Sequence, residues 1–285
     1  VSESGERVGR NRVLAFLSGG IAGSVAKSAI APLDRVKIIF MTSSSKFSFQ
    51  AAGAQLRAIW NREGLRGLWR GNFATVTRVY PYAGIQYVTF GMMTKTLTKY
   101  RPGGRLRARD RLFAGACAGA MSALVTLPLD TARARLAVYH PGHVHGRNGL
   151  SEVLTDMWRG GGMRGLYRAL TPTLLGIIPY SGLSFATFET LKQRERDKTG
   201  SEPTTLQRLA FGATAGLVGQ TASFPIDVCR RRMQTFVPTS EHPIPPTMIQ
   251  VFRNVVQTSG WRGLFRALPL NYAKGPLAVA ISFTT

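Results

Sequence analysis

Three aspartates share one setting. Asp34, Asp130 and Asp227 each follow a proline by two residues and precede a lysine or arginine by three, in Pro32-Leu33-Asp34-Arg35-Val36-Lys37, Pro128-Leu129-Asp130-Thr131-Ala132-Arg133 and Pro225-Ile226-Asp227-Val228-Cys229-Arg230. On a helix, residues three apart are neighbours on one face, so each block sets a carboxylate beside a cation. A proline inside a helix removes a backbone hydrogen bond and bends the axis. Pro32, Pro128 and Pro225 therefore bend three helices beside these charged groups, and the chemistry open to such groups is the making and breaking of ion pairs between helices. Bond-making chemistry has no comparable support. Cys117 and Cys229 lack disulfide or zinc spacing, and His140, His143 and His145 lie in a Pro/Gly-rich connector without cysteine or carboxylate company. The reading is not an enzyme, with no metal and no cofactor.

The elements that carry these residues come in threes. Each aspartate block is followed by a second: Gly64-Leu65-Arg66-Gly67-Leu68-Trp69-Arg70, Gly162-Met163-Arg164-Gly165-Leu166-Tyr167-Arg168 and Gly260-Trp261-Arg262-Gly263-Leu264-Phe265-Arg266. Glycine pairs Gly19/Gly23, Gly115/Gly119 and Gly212/Gly216 add a third register. Three blocks in one order at near-constant spacing make an internal repeat, with boundaries at 1–102, 103–200 and 201–285. Charge-free runs Val79–Thr94, Leu112–Leu129, Ala169–Phe188 and Leu209–Ile226 approach the roughly 20 residues that cross a bilayer as helix. The first span, about Val13–Met41, is interrupted by Lys27, and a sixth begins near Leu268. Their Gly, Ala, Ser and Thr content suits close helix packing around a partly wet interior. Shorter amphipathic pieces, Phe49–Trp60, Leu150–Trp158 and Met248–Val256, read as helices lying on one membrane face.

Charge narrows the partners. In 285 residues, 37 Lys and Arg oppose 14 Asp and Glu, a formal net charge of +23, while only 18% of residues are charged. Such a surplus attracts nucleic acid, phospholipid headgroups or anionic solutes. A basic nucleic-acid-binding protein is the reading of another class; it predicts extraction by salt without detergent and salt-sensitive DNA binding. The uncharged spans weigh against it, and no nucleic acid is expected as partner. Residues Val1–Val13 are polar and lack the apolar core of a secretory signal.

The paired blocks, with Lys274-Gly275-Pro276 and Arg230-Arg231-Arg232-Met233-Gln234-Thr235, resemble the mitochondrial carrier family over essentially the whole chain. The resemblance implies an all-α membrane protein: six transmembrane helices in a pseudo-threefold barrel, with three short matrix-side surface helices. It implies a multi-pass, monomeric carrier of the mitochondrial inner membrane working by alternating access. It assigns the three aspartate blocks as a ring, the matrix gate, with pairs Asp34–Arg133, Asp130–Arg230 and Asp227–Lys37. A bracing glutamine is expected nine residues after each proline; these positions hold Met41, Ala137 and Gln234, so one brace is present. A cytosolic gate would carry aromatic-acid-x-x-base blocks. Helix 4 has Phe188-Glu189-Thr190-Leu191-Lys192, helix 2 has Phe90-Gly91-Met92-Met93-Thr94 without charges, and the sixth-helix counterpart would fall just past Thr285. A truncated third repeat is the expectation.

An asymmetric substrate must be read where the repeats differ. Arg78, Gly176 and Lys274 are equivalent by the 98-residue offset and differ in type. Two cations suit phosphates, and the glycine leaves room for a flat ring. The resemblance makes these the central contact points, with Gly176-Ile177 at an adenine and Lys27, Tyr80 and Tyr180 adding contacts. It implies coenzyme A as the substrate, with adenosine 3′,5′-diphosphate and adenine nucleotides as exchange partners. An ATP-Mg/phosphate or ADP/ATP-type carrier is the alternative. Cardiolipin is expected at the second blocks, through Trp69, Arg70 and Gly71, Tyr167 and Arg168, and Phe265 and Arg266, although Ala169 and Ala267 replace two of the glycines.

Overall fold

The computed structural model describes residues 2–100, 106–138, 149–237 and 244–275, with 2–17 described by backbone course alone. The histidine-bearing connector at 139–148 and the last residues, 276–285, lie outside them. Among the described residues the regular structure is all helical, with no strand. The long helices are α1 (Ser2–Thr42), α3 (Asn72–Tyr100), α4 (Ala108–Val138), α7 (Leu170–Thr199) and α8 (Thr205–Thr235), and α10 is described over 268–275. Short helices α2 (Phe49–Leu68), α5 (Leu150–Arg159), α6 (Gly162–Leu166) and α9 (Met248–Gly263) join them.

Local chemistry sets these boundaries. Helices α8 and α9 open with capping boxes, Thr204/Gln207 and Thr247/Gln250, and the Ser48 hydroxyl accepts from the Ala51 amide at the start of α2. The surface helices run further than the amphipathic pattern suggests, because the second block adds a helical turn of its own. That turn follows a break at Gly64 (φ 69°) and at Gly260 (φ 64°), and in the middle repeat the break separates α5 from α6.

Prolines stand inside all five long helices described at full length: Pro32, Pro128 and Pro225 in α1, α4 and α8, and Pro81 and Pro179, 98 apart, in α3 and α7. Helices α1, α4 and α8 touch one another pairwise. The outer contacts run α1–α3–α4–α7–α8, and hydrogen bonds from α10 to both α8 and α1 complete the circuit. This is the six-helix pseudo-threefold barrel. Apolar side chains point outward around it: Ile21 and Val25 on α1, Val88 and Met92 on α3, Met121 and Val125 on α4, Ile178 on α7 and Leu217 on α8 are all exposed. A water-soluble bundle turns such residues inward, whereas a bilayer receives them. Helix α4 and the stretch Gly162–Thr199 are each long and apolar enough to cross one. The main packed core sits at the kinked end, where Val36, Phe40, Phe224, Val228 and Met233 of α1 and α8 meet Ile59, Val251 and Val255 of the surface helices.

Candidate functional site

Inside the barrel, at the kinked end, the three aspartates meet cations of the neighbouring helix. Arg133 donates to Asp34 at 2.7 Å, Arg230 to Asp130 at 2.6 Å, and Lys37 stands 3.5 Å from Asp227. The three pairs link α1 to α4, α4 to α8 and α8 to α1, closing that end. They are far from equivalent. Asp130, 1% exposed, also receives Arg78 at 3.0 Å, Arg231 at 3.2 Å and the Gln234 side-chain amide at 2.9 Å. Asp34 also receives Lys274 at 2.6 Å. Asp227, 28% exposed, has Lys37 as its one ion-pair partner among the described residues.

Arg78 and Lys274 therefore stand differently from what their equivalence suggests. Both hold gate carboxylates: Arg78 also donates to the Thr126 hydroxyl at 3.0 Å and lies 4.8 Å from the centre of the Tyr82 ring. Lys27, exposed and without a side-chain hydrogen bond or ion pair among the described residues, stands in the field of Asp34, Arg133, Lys274 and Arg78. Gly176, Ile177 and Tyr180 line a cavity of about 280 Å³ between α7, α8 and α10, with Gln220, Ser223 and Asp227 opposite. Tyr80 instead packs on Gly20 of α1, where a Cβ would overlap its ring. At the other end of the barrel, Lys192 reaches Glu202 at 3.9 Å, and Glu189 makes no ion pair among the described residues. Phe188 is half-buried there. Among the described residues these side chains form no ring of interhelix pairs at that end, while the kinked end is closed.

Beneath the ion pairs lies a layer that the motifs do not announce. Arg35 of α1 donates to the Ala137 carbonyl of α4 at 2.9 Å, and Arg135 of α4 donates to Gln234 and Phe236 carbonyls of α8 at 3.1 Å each. Arg232 of α8 donates to the Met41 and Ser43 carbonyls of α1 at 3.1 and 3.2 Å. Each guanidinium caps the last turn of the next helix, where carbonyls lack intrahelical partners and the helix dipole favours positive charge. Arg168 and Arg266 of the second blocks join in, donating to Phe236 and Ser43 carbonyls at 2.9 Å each. In the first repeat a carboxylate takes part: Glu63 accepts from Arg35 at 2.7 Å and pairs with Arg70 at 3.4 Å. Burial opposes the charge of Glu63, but hydrogen bonding to Arg35 and both positive charges hold its carboxyl below the usual range. Arg70, Arg168 and Arg266 are thus turned to protein partners, whereas Arg66, Arg164 and Arg262 of the same blocks are exposed, and the Trp69 indole donates to the Ser28 carbonyl at 2.8 Å. At the start of α3, Gly71 (φ 83°) comes so close to the Arg133 carbonyl that a Cβ would lie 3.0 Å from it.

The sequence is matched three times by the mitochondrial carrier protein profile, over residues 10–101, 105–198 and 201–285. The chain is similar to the mitochondrial coenzyme A transporter SLC25A42 of Danio rerio, 45% identical over 99% of this chain and 87% of the relative. It is similar to the human protein of that name, 45% identical over 100% and 89%, and to the mitochondrial carrier protein CoAc1 of Zea mays, 38% identical over 95% and 84%. With a threefold match across the chain and a barrel closed by three ion pairs, the protein belongs to the mitochondrial carrier family.

Proposed function

We propose that the chain is a multi-pass antiporter of the mitochondrial inner membrane that exchanges coenzyme A for adenine nucleotides or adenosine 3′,5′-diphosphate by alternating access. The observation that carries the reading is electrostatic. Lys27, Lys37, Arg78, Arg133, Arg230, Arg231 and Lys274 share the cavity floor with Asp34, Asp130 and Asp227, an excess of four positive charges. Coenzyme A carries about four negative charges at neutral pH, two on its diphosphate and up to two on its 3′-phosphate. Relatives of 45% identity bear the name of coenzyme A transporters, which agrees.

The geometry suggests how binding opens the gate. A phosphate drawn to Arg78 and Lys274 competes with Asp130 and Asp34 for the same donors, so substrate is bound by loosening the ring that closes the kinked end. Only this differential interaction can shift the two-state equilibrium. Adenine would sit at Gly176 and Ile177 beside Tyr180, and Lys27 would meet an incoming phosphate. The opposite network, with Phe188, Glu189 and Lys192, forms as the kinked end opens on the matrix. The three repeats, 1–102, 103–200 and 201–285, move as units of one monomer. Cardiolipin binds at the second blocks through backbone amides at helix starts, since Arg70, Arg168 and Arg266 already have protein partners.

ATP offers similar charge in a triphosphate chain, so an adenine nucleotide carrier is the second reading. Thermal unfolding of the purified protein in detergent separates them. Coenzyme A raises the midpoint more than dephospho-coenzyme A, which lacks the 3′-phosphate, and more than ATP. Equal shifts from coenzyme A and dephospho-coenzyme A would overturn the reading.

A further inference from the structure

The base cavity contains a relay of side-chain amides whose polarity is set by a gate residue. Lys37 donates to the Asn271 side-chain oxygen at 2.9 Å. The Asn271 nitrogen then donates to the Gln220 side-chain oxygen at 2.8 Å. A lysine ammonium carries donors and no acceptor, so Asn271 must turn its oxygen to Lys37 and its nitrogen to Gln220. Gln220 is left in turn with its Nε2 amide as the open end. Among the described residues that amide has no protein partner, and it belongs to a residue lining the cavity with Gly176 and Ile177. One turn on, the Ser223 hydroxyl donates to the Gln220 backbone carbonyl at 3.3 Å, so its outward function is an acceptor. A donor and an acceptor thus stand three residues apart on one face of α8.

We infer that Gln220, polarised through Lys37 and Asn271, reads the adenine edge, its amide donating to a ring nitrogen while the 6-amino group faces acceptors. The inference rests on the coenzyme A reading above. It makes Gln220 and Asn271 determinants of base specificity, Gln220 by contact and Asn271 by positioning. The relay begins at Lys37, the partner of Asp227, so the amides are fixed only while that ion pair is closed. When Lys37 leaves, both amides are free to turn over and the base loses its oriented donor. The base is thus read while the Asp227–Lys37 pair is closed and released as that pair opens, whereas the phosphates loosen the contacts at Asp130 and Asp34.

The test uses liposomes containing the full chain and measures inhibition of labelled coenzyme A uptake by adenosine 3′,5′-diphosphate and by its 6-oxo counterpart, inosine 3′,5′-diphosphate. Inosine presents a donor where adenine N1 accepts, so wild type prefers adenosine roughly tenfold or more. In Asn271→Asp, both carboxylate oxygens accept. One faces Lys37, the other forces Gln220 to donate inward, and Gln220 then shows its oxygen to the cavity. Gln220→Glu also shows an oxygen there. In both variants the preference falls below about twofold or inverts, while a merely structural role would weaken both inhibitors alike and leave the ratio intact. A tenfold adenosine preference retained in either variant overturns the relay, and so does a wild type that takes up coenzyme A and is inhibited equally by both bases. A wild type with no coenzyme A uptake instead overturns the transport reading, and the relay with it.

Discussion

The unequal company of the three gate aspartates predicts unequal costs for removing their charge. Asp130 is 1% exposed and holds Arg78, Arg230 and Arg231 together with Gln234. Asp130→Asn removes the one carboxylate that Arg78, Arg230 and Arg231 all contact. Breaking a buried pair from one side costs about 3–5 kcal/mol, most of it the stranded charge. Asp227 has one cation at 3.5 Å and stands 28% open to the cavity, the regime in which a pair contributes about 0–1 kcal/mol. Asp34, with two cations at 2.6 and 2.7 Å and 13% exposure, falls between. For a chain of this size 1 kcal/mol moves the thermal midpoint by roughly 2–4 °C. Asp130→Asn therefore lowers the midpoint by on the order of 10 °C, Asp34→Asn by about half of that, and Asp227→Asn by no more than about 4 °C. The assay is unfolding of the purified variants in one detergent, without substrate, at low and high salt. Salt narrows the Asp227 difference most, because its pair is the most exposed. Equal midpoints for the three variants, or the largest loss at Asp227, would refute the reasoning.

Three further outcomes follow from the same geometry. Arg78→Ala raises the KM for coenzyme A roughly tenfold or more, since a hydrogen bond to a charged group contributes about 1.5–3 kcal/mol, and it weakens the salt dependence of uptake; an unchanged KM contradicts the phosphate role. Glu63→Gln leaves Arg35, 2% exposed, with carbonyls alone and costs about 3 kcal/mol at pH 7. The folded-state Glu63 carboxyl titrates below its unfolded value, so its contribution is complete above about pH 4.5 and is lost as pH falls through the lower folded value. Unfolding midpoints of wild type and variant should converge on acidification and stay apart at neutral pH. Gly71→Ala, placing a Cβ 3.0 Å from the Arg133 carbonyl at φ 83°, costs about 1–2 kcal/mol in the same unfolding assay. At the matching position Ala169 has φ −97° and needs no glycine, so Ala169→Gly changes the midpoint by less.

Repetition made part of this readable from sequence. The aspartates, prolines and cations of the ring recur at 96- and 97-residue offsets, so their common place on three helices follows from the pattern, while the partner of each came with the family resemblance. What repetition cannot show is difference in company. Arg78 and Lys274 are equivalent by offset, yet one engages Asp130 and the other Asp34, because reach across the barrel depends on kinks and rotamers that spacing does not encode. The Arg35–Glu63 pair occurs in one repeat alone, with Gly161 and Ser259 at the positions matching Glu63, so a search for recurring blocks passes over it. Arg135 and Arg232 could have been noticed as cations in the last turns of α4 and α8, but their acceptors are backbone carbonyls of another helix, and no residue type marks those. The amide relay was hidden for a similar reason: Asn271 and Gln220 stand 51 residues apart and outside every repeated block.

The central claim is that a cavity with four surplus positive charges carries coenzyme A in exchange for adenine-bearing anions. The direct measurement is uptake of labelled coenzyme A by liposomes containing the purified chain, loaded inside with adenosine 3′,5′-diphosphate, with ADP or with buffer alone. The account predicts rapid uptake into the two loaded preparations and little into the empty one. Absence of coenzyme A uptake under all three conditions, in a preparation that exchanges ATP or phosphate briskly, would contradict it.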